Sequence, residues 1–263
     1  MLRIMKHGGF ALCIMLVFAI PLLADCGKKS SGKTVYLPPA GSGSGTGTGS
    51  GTGTGSGTGT GSGTGTGSGT GTGPAYNIMD YLNYAPGNWW EYTVAGVTHI
   101  YQCSTPSTIF TYNCWPVQVG NDSAQLRADY FSTENGELLW IAQGPWSLTS
   151  SSQAAEFDPP SRIGLSSMQA GDIWSDSGVF RRGDGSEFPY TSDSSLLGVG
   201  ICTFDNGDTI SDQCLAIEQV LHIGTPEAFD ATFRYYFAPG SGMVGYDVWG
   251  GVWKLVDSNA LKP

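Results

Sequence analysis

The sequence predicts an all-β domain with little helix, folded as an antiparallel curved sheet, open barrel or two-sheet sandwich of about ten strands. Three observations carry that expectation. Apolar and polar residues alternate with period two through most of residues 74–263. Turn-forming residues punctuate the alternation at short intervals. No stretch of the domain sustains a helical apolar period, beyond a turn or two around Asn77–Asn83 or Ser166–Ala170.

In chain order, Trp90, Tyr92 and Val94 alternate with Trp89, Glu91 and Thr93, and Ala95-Gly96 reverses the chain. Leu126, Ala128 and Tyr130 alternate with Arg127 and Asp129, ahead of the turn Glu134-Asn135-Gly136-Glu137. Arg182-Gly183-Asp184-Gly185 and Asn206-Gly207 supply two further reversals. Leu215, Ile217, Leu221 and Ile223 alternate with Ala216, Glu218 and His222. Phe233, Tyr235 and Phe237 alternate with Thr232, Arg234 and Tyr236, and Gly250-Gly251 marks the last turn. Successive Cβ atoms of a strand point to opposite faces, so each row fits a half-buried strand. Gly87-Asn88-Trp89-Trp90 and Gly171-Asp172-Ile173-Trp174 share one form, and each opens a predicted strand. They point to two related halves of one sheet system.

The first 73 residues are of a different kind. Arg3 and Lys6 precede an apolar run from Phe10 to Leu23. That run is short for a membrane helix, which needs ~20 apolar residues, and its basic flank and small-residue exit fit a secretory signal over 1–25. Residues 26–40 form a polar membrane-proximal segment, with the stiffer spacer Tyr36-Leu37-Pro38-Pro39. Residues 41–73 are a Gly-Ser/Thr linker in which Gly-Ser-Gly-Thr-Gly-Thr recurs five times from Gly43. Nothing in the linker can build a core, so it reads as a solvated coil spanning about 30 Å root-mean-square. From Pro74 to Pro263 the composition supports one globular domain, with all eight tryptophans and eleven of the twelve tyrosines.

Leu22-Leu23-Ala24-Asp25-Cys26-Gly27 resembles the lipobox of bacterial lipoproteins. The resemblance implies a diacylglycerol on Cys26, cleavage before it, and attachment to a membrane. Asp25 stands where that family carries a small residue, and cleavage after Ala24 would instead release a secreted protein. Gly27 lacks the aspartate that retains some lipoproteins at an inner membrane, which favours an outer membrane. Ala85-Pro86-Gly87-Asn88-Trp89-Trp90-Glu91-Tyr92 looks like the opening of a group of uncharacterised bacterial lipoproteins. Tyr236-Phe237-Ala238-Pro239-Gly240-Ser241-Gly242-Met243-Val244 is similar to that group's closing motif. The resemblance implies an exported, mostly β domain facing the periplasm or the cell surface, and no reaction.

Charge divides the chain in the same way. The formal net charge of −10 conceals a domain with 21 acidic and 7 basic side chains. Such a domain repels nucleic acid and anionic membrane surfaces. Lys28, Lys29 and Lys33, just after Cys26, suit anionic headgroups instead.

With Cys13 in the signal and Cys26 reserved for lipid, Cys103, Cys114, Cys202 and Cys214 remain in the domain. An even remainder in an exported chain predicts two disulfides. Local pairing, Cys103 with Cys114 and Cys202 with Cys214, is the simplest of the alternatives. Zinc would need closely spaced ligand pairs, and no C-x-x-C occurs.

Candidate chemistry is sparse. His99 and His222 are the domain's histidines, and neither sits in a nucleophile motif. A glycosidase needs two facing carboxylates, but Glu134 with Glu137 and Asp184 with Glu187 flank turns, where acids are common. Arg182-Gly183-Asp184 spells an adhesion tripeptide, yet falls where a hairpin needs a reversal. Asp205, Asp208 and Asp212 cluster oxygen ligands between Cys202 and Cys214 without an EF-hand spacing, the best metal candidate in a chain for which no metal or cofactor is expected. The stronger lead is aromatic: Trp89, Trp115, Trp146, Trp249 and Trp253 cannot all be central in a small β core. An outward tryptophan meets a ligand, a sugar ring, a partner or a covering loop, and residues 143–167 are long enough for the last. The expectation is therefore a non-catalytic envelope or surface protein that binds a glycan, another ligand or a protein partner. The alternatives are an envelope glycan hydrolase with paired carboxylates and a passive surface spacer.

Overall fold

A computed structural model describes residues 73–121, 124–145, 153–224, 229–248 and 251–261. The signal, Cys26 and the linker up to residue 72 lie outside the described residues.

Thirteen strands follow one another: β1 (Trp89–Val94), β2 (Val97–Cys103), β3 (Ser107–Ile109), β4 (Tyr112–Asn121), β5 (Ala124–Ser132), β6 (Leu138–Gly144), β7 (Ala155–Gly164), β8 (Ile173–Arg181), β9 (Glu187–Thr203), β10 (Thr209–Ile223), β11 (Phe229–Ala238), β12 (Gly242–Val248) and β13 (Gly251–Ser258). Each pairs antiparallel with its neighbour in sequence, except that β2 bypasses β3 to pair with β4. β1 pairs with both β2 and β13, so twelve strands close into a barrel and β3 is left as one extra strand on β4. Closure removes the exposed sheet edges that an open alternative would leave.

Barrel width grows with strand number, and a twelve-strand ring needs bulky side chains to fill it. The period-two rows supply them. Trp90 and Tyr92 of β1, Leu215, Ile217 and Leu221 of β10, and Phe233, Tyr235 and Phe237 of β11 are all buried in the main core. Tyr235 stacks on Phe233 and on Tyr246, with ring centroids 6.0 and 6.3 Å apart. Trp140 and Phe157 meet at 5.0 Å and carry the aromatic layer round the wall.

β5 reverses the sequence expectation. Leu126, Ala128 and Tyr130 make its apolar row, but Ala128 and Tyr130 belong to a second cluster with Ile109, Cys114, Leu139 and Ile141. The β3 hairpin, with Phe110 and Tyr112, covers the outer wall there. Sheet covered on both faces loses its polar side, which accounts for the unbroken buried run Leu138–Ala142. The alternate row, Arg127, Asp129 and Phe131, turns into the lumen.

One rim of the barrel is crossed by residues 73–88. Tyr76 and Met168 exchange backbone hydrogen bonds of 2.7 and 2.8 Å. A short 3₁₀ turn at Ile78–Asp80, capped by the Asn77 side chain, then drops Ile78 fully into the core. Gly240 N and Gly242 N donate to the Asp80 and Tyr81 carbonyls at 2.8 Å each, and Asn83 Nδ2 donates to Ala260 O at 2.7 Å. This strap joins three separate parts of the rim. Gly242 has φ +84°, and a Cβ there would lie 2.8 Å from the Trp90 ring, so both conformation and space demand glycine.

The repeated Gly-Asn/Asp-x-Trp form has a common geometry. Gly87 and Gly171 both have positive φ, Asn88 N and Asp172 N each donate to the carbonyl three residues back, and Trp90 and Trp174 both point into the core.

The barrel lumen as a candidate functional site

β5 carries the chemistry of the lumen. Arg127 and Asp129 lie two apart on one strand, so their side chains share a face. Arg127 Nε donates to Asp129 Oδ2 at 3.2 Å, and Gln143 Nε2 of β6 donates to Asp129 Oδ1 at 2.7 Å. The Tyr246 hydroxyl lies close to both the Arg127 guanidinium and the Tyr101 hydroxyl. Desolvation works most strongly against the guanidinium charge, but Asp129 together with the Tyr101 and Tyr246 phenols outweighs it, and Arg127 stays protonated. Among the described residues that line the cavity, Arg127 and Asp129 are the charged ones. Burial and then the Arg127 charge push the His99 imidazole below its ordinary range, so it is neutral. The His99 ring lies 4.5 Å from that of Trp253, centroid to centroid.

A cavity of about 40 Å³ lies beside the ion pair. Tyr84, Trp90, Phe131 and Tyr246 are among its walls, as are Tyr101 and Arg127. Tyr101 is 3 % exposed and leans toward the Tyr246 hydroxyl, yet its own oxygen has no partner at hydrogen-bonding geometry. The volume admits water but not a drug-sized ligand, which takes roughly 300 Å³ or more. Tyr84 is the one wall residue supplied by the strap. Its ring stacks on Phe131 at 5.7 Å and stands edge-on to Trp90 at 6.1 Å. Burial pushes its phenol well above the ordinary range.

A second polar group lies deeper. Gln219 Nε2 donates to Ser161 Oγ and Ser192 Oγ at 3.0 and 3.1 Å, and Tyr235 OH donates to Gln219 Oε1 at 3.1 Å. These groups satisfy one another and tie β7, β9, β10 and β11 across the core. On the outer wall a shallow groove of about 410 Å³ runs past Val220, Thr232, Arg234 and Val252. Asp247 lines it, accepts a hydrogen bond from Tyr236 OH at 3.1 Å, and has its carboxyl pushed up by burial.

The aromatic candidates divide. Trp89 is half-buried on the outer face, opposite Trp90, as the strand alternation requires. Trp253 is a correction: at 5 % exposure it is a lumen residue packed on His99 and Tyr246. Trp115 is likewise packed against the main core, because β4 turns that row inward. Trp146 and Trp249 lie outside the described residues, as do 146–152 of the stretch expected to form a covering loop; the described remainder corrects that expectation, since Ala155–Gly164 is strand β7 of the barrel wall.

The cysteines divide too. Cys202 and Cys214 are bridged, with Cα atoms 5.9 Å apart on the paired arms of β9 and β10. Cys103 and Cys114 are free, which corrects the second expected disulfide. Register explains it. Cys103 faces Val117 across the β2–β4 ladder, so Cys114 is an odd number of positions away and points to the other face. Cys103 belongs to the lumen core and Cys114 to the cluster beneath β3. Burial pushes both thiols up to about 12, which keeps them protonated and unreactive. The folded domain should therefore resist alkylation, and unreduced unfolded domain should take up two alkyl groups, as read by mass. No added alkyl group would mean a second bridge.

Asp205, Asp208 and Asp212 do not converge on a metal. Asp205 pairs with Lys254 at 3.6 Å, and Asp208 bonds with Asn206 within the turn. Among the described residues no group of three or more His, Cys, Asp or Glu side chains is placed to hold a metal ion. Asp205 N donates to Leu255 O at 2.9 Å, so the tip of the disulfide-stapled hairpin folds back onto β13. In the tripeptide Arg182-Gly183-Asp184, the Asp184 carboxylate accepts from Ser186 N and Ser186 Oγ, and Arg182 lies 4.8 Å over the Phe188 ring, so the turn holds itself. His222 pairs with Asp230, and Glu218 accepts from Arg234. The lumen cavity presents one carboxylate, Asp129, already bound to Arg127.

Arg127, Asp129, Tyr84 and Tyr101 were not singled out from sequence. The available signal was the i, i+2 pair of opposite charges, in a domain with only seven basic side chains.

His99 also sets a pH dependence. Its proton affinity is lowered by folding, so the stabilising effect of the neutral ring is complete above pH ~6.5 and is lost as pH falls below that value. Urea midpoints at pH 7 and pH 5 should differ less in His99→Gln than in the parent chain.

No family model, no curated protein and no solved structure matches this chain.

Proposed function

We propose that this chain is an exported, lipid-anchored envelope protein whose barrel binds a small molecule in its lumen and does no chemistry on it. One observation carries the reading. The barrel keeps an ion pair, an unpartnered Tyr101 hydroxyl and a void together inside an aromatic interior. Apolar side chains of similar volume would fill that space at no loss of stability, since a buried ion pair contributes little net. A few polar groups converging in an aromatic-walled space are the usual composition of a ligand site.

Delivery rests on the lipobox-like segment at Cys26 and on the Gly-Ser/Thr linker, which lets the domain search within tens of ångströms of its anchor. The resemblance to uncharacterised bacterial lipoproteins at both ends of the domain agrees with this. A hydrolase has less support, because Asp129 has no second carboxylate facing it in the cavity.

The test is mass spectrometry of protein extracted from its native envelope. Under denaturing conditions the N-terminus should begin at a lipid-modified Cys26. Under native conditions an additional small mass should appear and be lost on unfolding. A chain that still begins at Met1 removes the exported reading. A native mass equal to the denatured mass removes the ligand.

A further inference from the structure

We infer that the lumen site takes a planar, phenol-like ring, and that Tyr84 occupies the seat of that ring when the site is empty. The inference rests on the lumen-binding reading above and adds the ligand class and the gate.

Tyr84 is set apart from the other wall residues. Wall residues such as Trp90, Phe131, Trp140, Tyr235 and Tyr246 sit on paired strands and cannot leave without breaking a ladder. Tyr84 sits between two anchors, Asn83 and Asn88, which are joined by a 2.9 Å hydrogen bond from Asn88 Nδ2 to Asn83 O. The turn that follows it is closed by Asn88 N to Ala85 O. The Tyr84 side chain can therefore swing while both ends of its loop stay fixed.

Its seat is shaped for a flat ring. Phe131 offers a face, with only 12° between the planes, and Trp90 offers an edge at 85°. Those are the two favourable arrangements of aromatic pairs. Beyond the seat lie the groups a ring hydroxyl would use: the unpartnered Tyr101 oxygen and the Arg127–Asp129 pair. The pair is neutral overall, so the site selects a neutral ligand over an ionised one. With the Tyr84 ring withdrawn, the space grows from about 40 Å³ toward the ~150 Å³ at which an apolar cavity takes up benzene. A resident ring lowers apparent affinity by the fraction of time the seat is vacant.

The experiment is calorimetric titration of the mature chain with p-cresol, the tyrosine side chain as a free molecule. The parent chain should bind p-cresol saturably. Tyr84→Ala should bind it about ten-fold more tightly or better, as expected if the seat is vacant a tenth of the time or less. Tyr84→Phe, which keeps the ring, should match the parent. Cyclohexanol, a non-planar ring of similar size, should bind more weakly than p-cresol to every variant. Should Tyr84→Ala fail to fold, Tyr84→Leu serves in its place. The inference is overturned if the parent shows no saturable p-cresol binding, if removing the ring leaves affinity unchanged, or if cyclohexanol or methyl glucoside binds as well. A native small mass without p-cresol binding would overturn the ring class alone, whereas absence of both would overturn the lumen reading too.

Discussion

Arg127→Met should destabilise the domain by about 3 kcal/mol or more, and Arg127→Met with Asp129→Leu should recover most of the loss. The single substitution leaves the Asp129 carboxylate, in a residue 5 % exposed, with Gln143 as its remaining hydrogen-bond donor. Breaking a buried pair by removing one partner costs about 3–5 kcal/mol, because a charge is then left without compensation. The lower end applies, since the Arg127 side chain is 22 % exposed and water can reach it. Removing both charges ends the penalty and leaves an apolar wall. Urea unfolding followed by circular dichroism gives the three stabilities directly. A double variant as unstable as the single one would mean that the guanidinium acts through packing and its contact with Tyr246, not through charge. The same double variant should lose any bound native ligand while it remains folded, which separates the site's role from its structural effect.

Trp90→Ala should cost about 3–5 kcal/mol from lost packing, with about 1 kcal/mol more for the lost hydrogen bond to Ser241 O. Trp90 is 2 % exposed, and its Nε1–H donates to Ser241 O at 2.8 Å. It bears against Tyr84 of the strap, and Gly242 of the β11–β12 turn comes close enough that a Cβ would touch the ring. One side chain thus joins the wall, the strap and the turn. Trp90→Phe should recover part of the packing but not the hydrogen bond, giving a smaller loss. Proteolysis between residues 73 and 88 should accelerate in Trp90→Ala before the barrel itself unfolds. Equal protease resistance in parent and variant would show that the strap is held by its backbone bonds alone.

These residues also show what the sequence could and could not convey. Period two made the strands of the domain legible, and for β1, β10 and β11 it also gave the buried face, because one side of each strand meets solvent. On β5 the apolar row was visible but its destination was not. The inner and outer faces are both covered there, so Arg127 and Asp129 had the same claim to the interior as Ala128 and Tyr130. Only the packing of the β3–β4 hairpin over the outer wall decides the matter. A different pairing, β2 with β4, settled the cysteines. Spacing alone joined Cys103 to Cys114 as readily as Cys202 to Cys214, whereas register placed the first two on opposite faces. Trp253 looked surplus to a small core, but closure of twelve strands creates an interior large enough to need it. The shared Gly-Asn/Asp-x-Trp form was visible at Gly87 and Gly171, but the positive φ of both glycines and the burial of both Trp90 and Trp174 came only with the structure.

The direction in which force would travel follows from where the chain joins its barrel. With the N-terminus anchored as proposed, traction would arrive at Gly73 and meet first the bond from Gln169 Nε2 to Gly73 O, then the two bonds between Tyr76 and Met168, then Ile78 N to Leu165 O. These contacts are loaded one after another and so peel, while the long ladders of β9, β10 and β11 stay unloaded. A stretched linker would lift the rim crossing and leave the ring of strands whole, so on the proposed anchoring tension would be a physical means of unseating Tyr84.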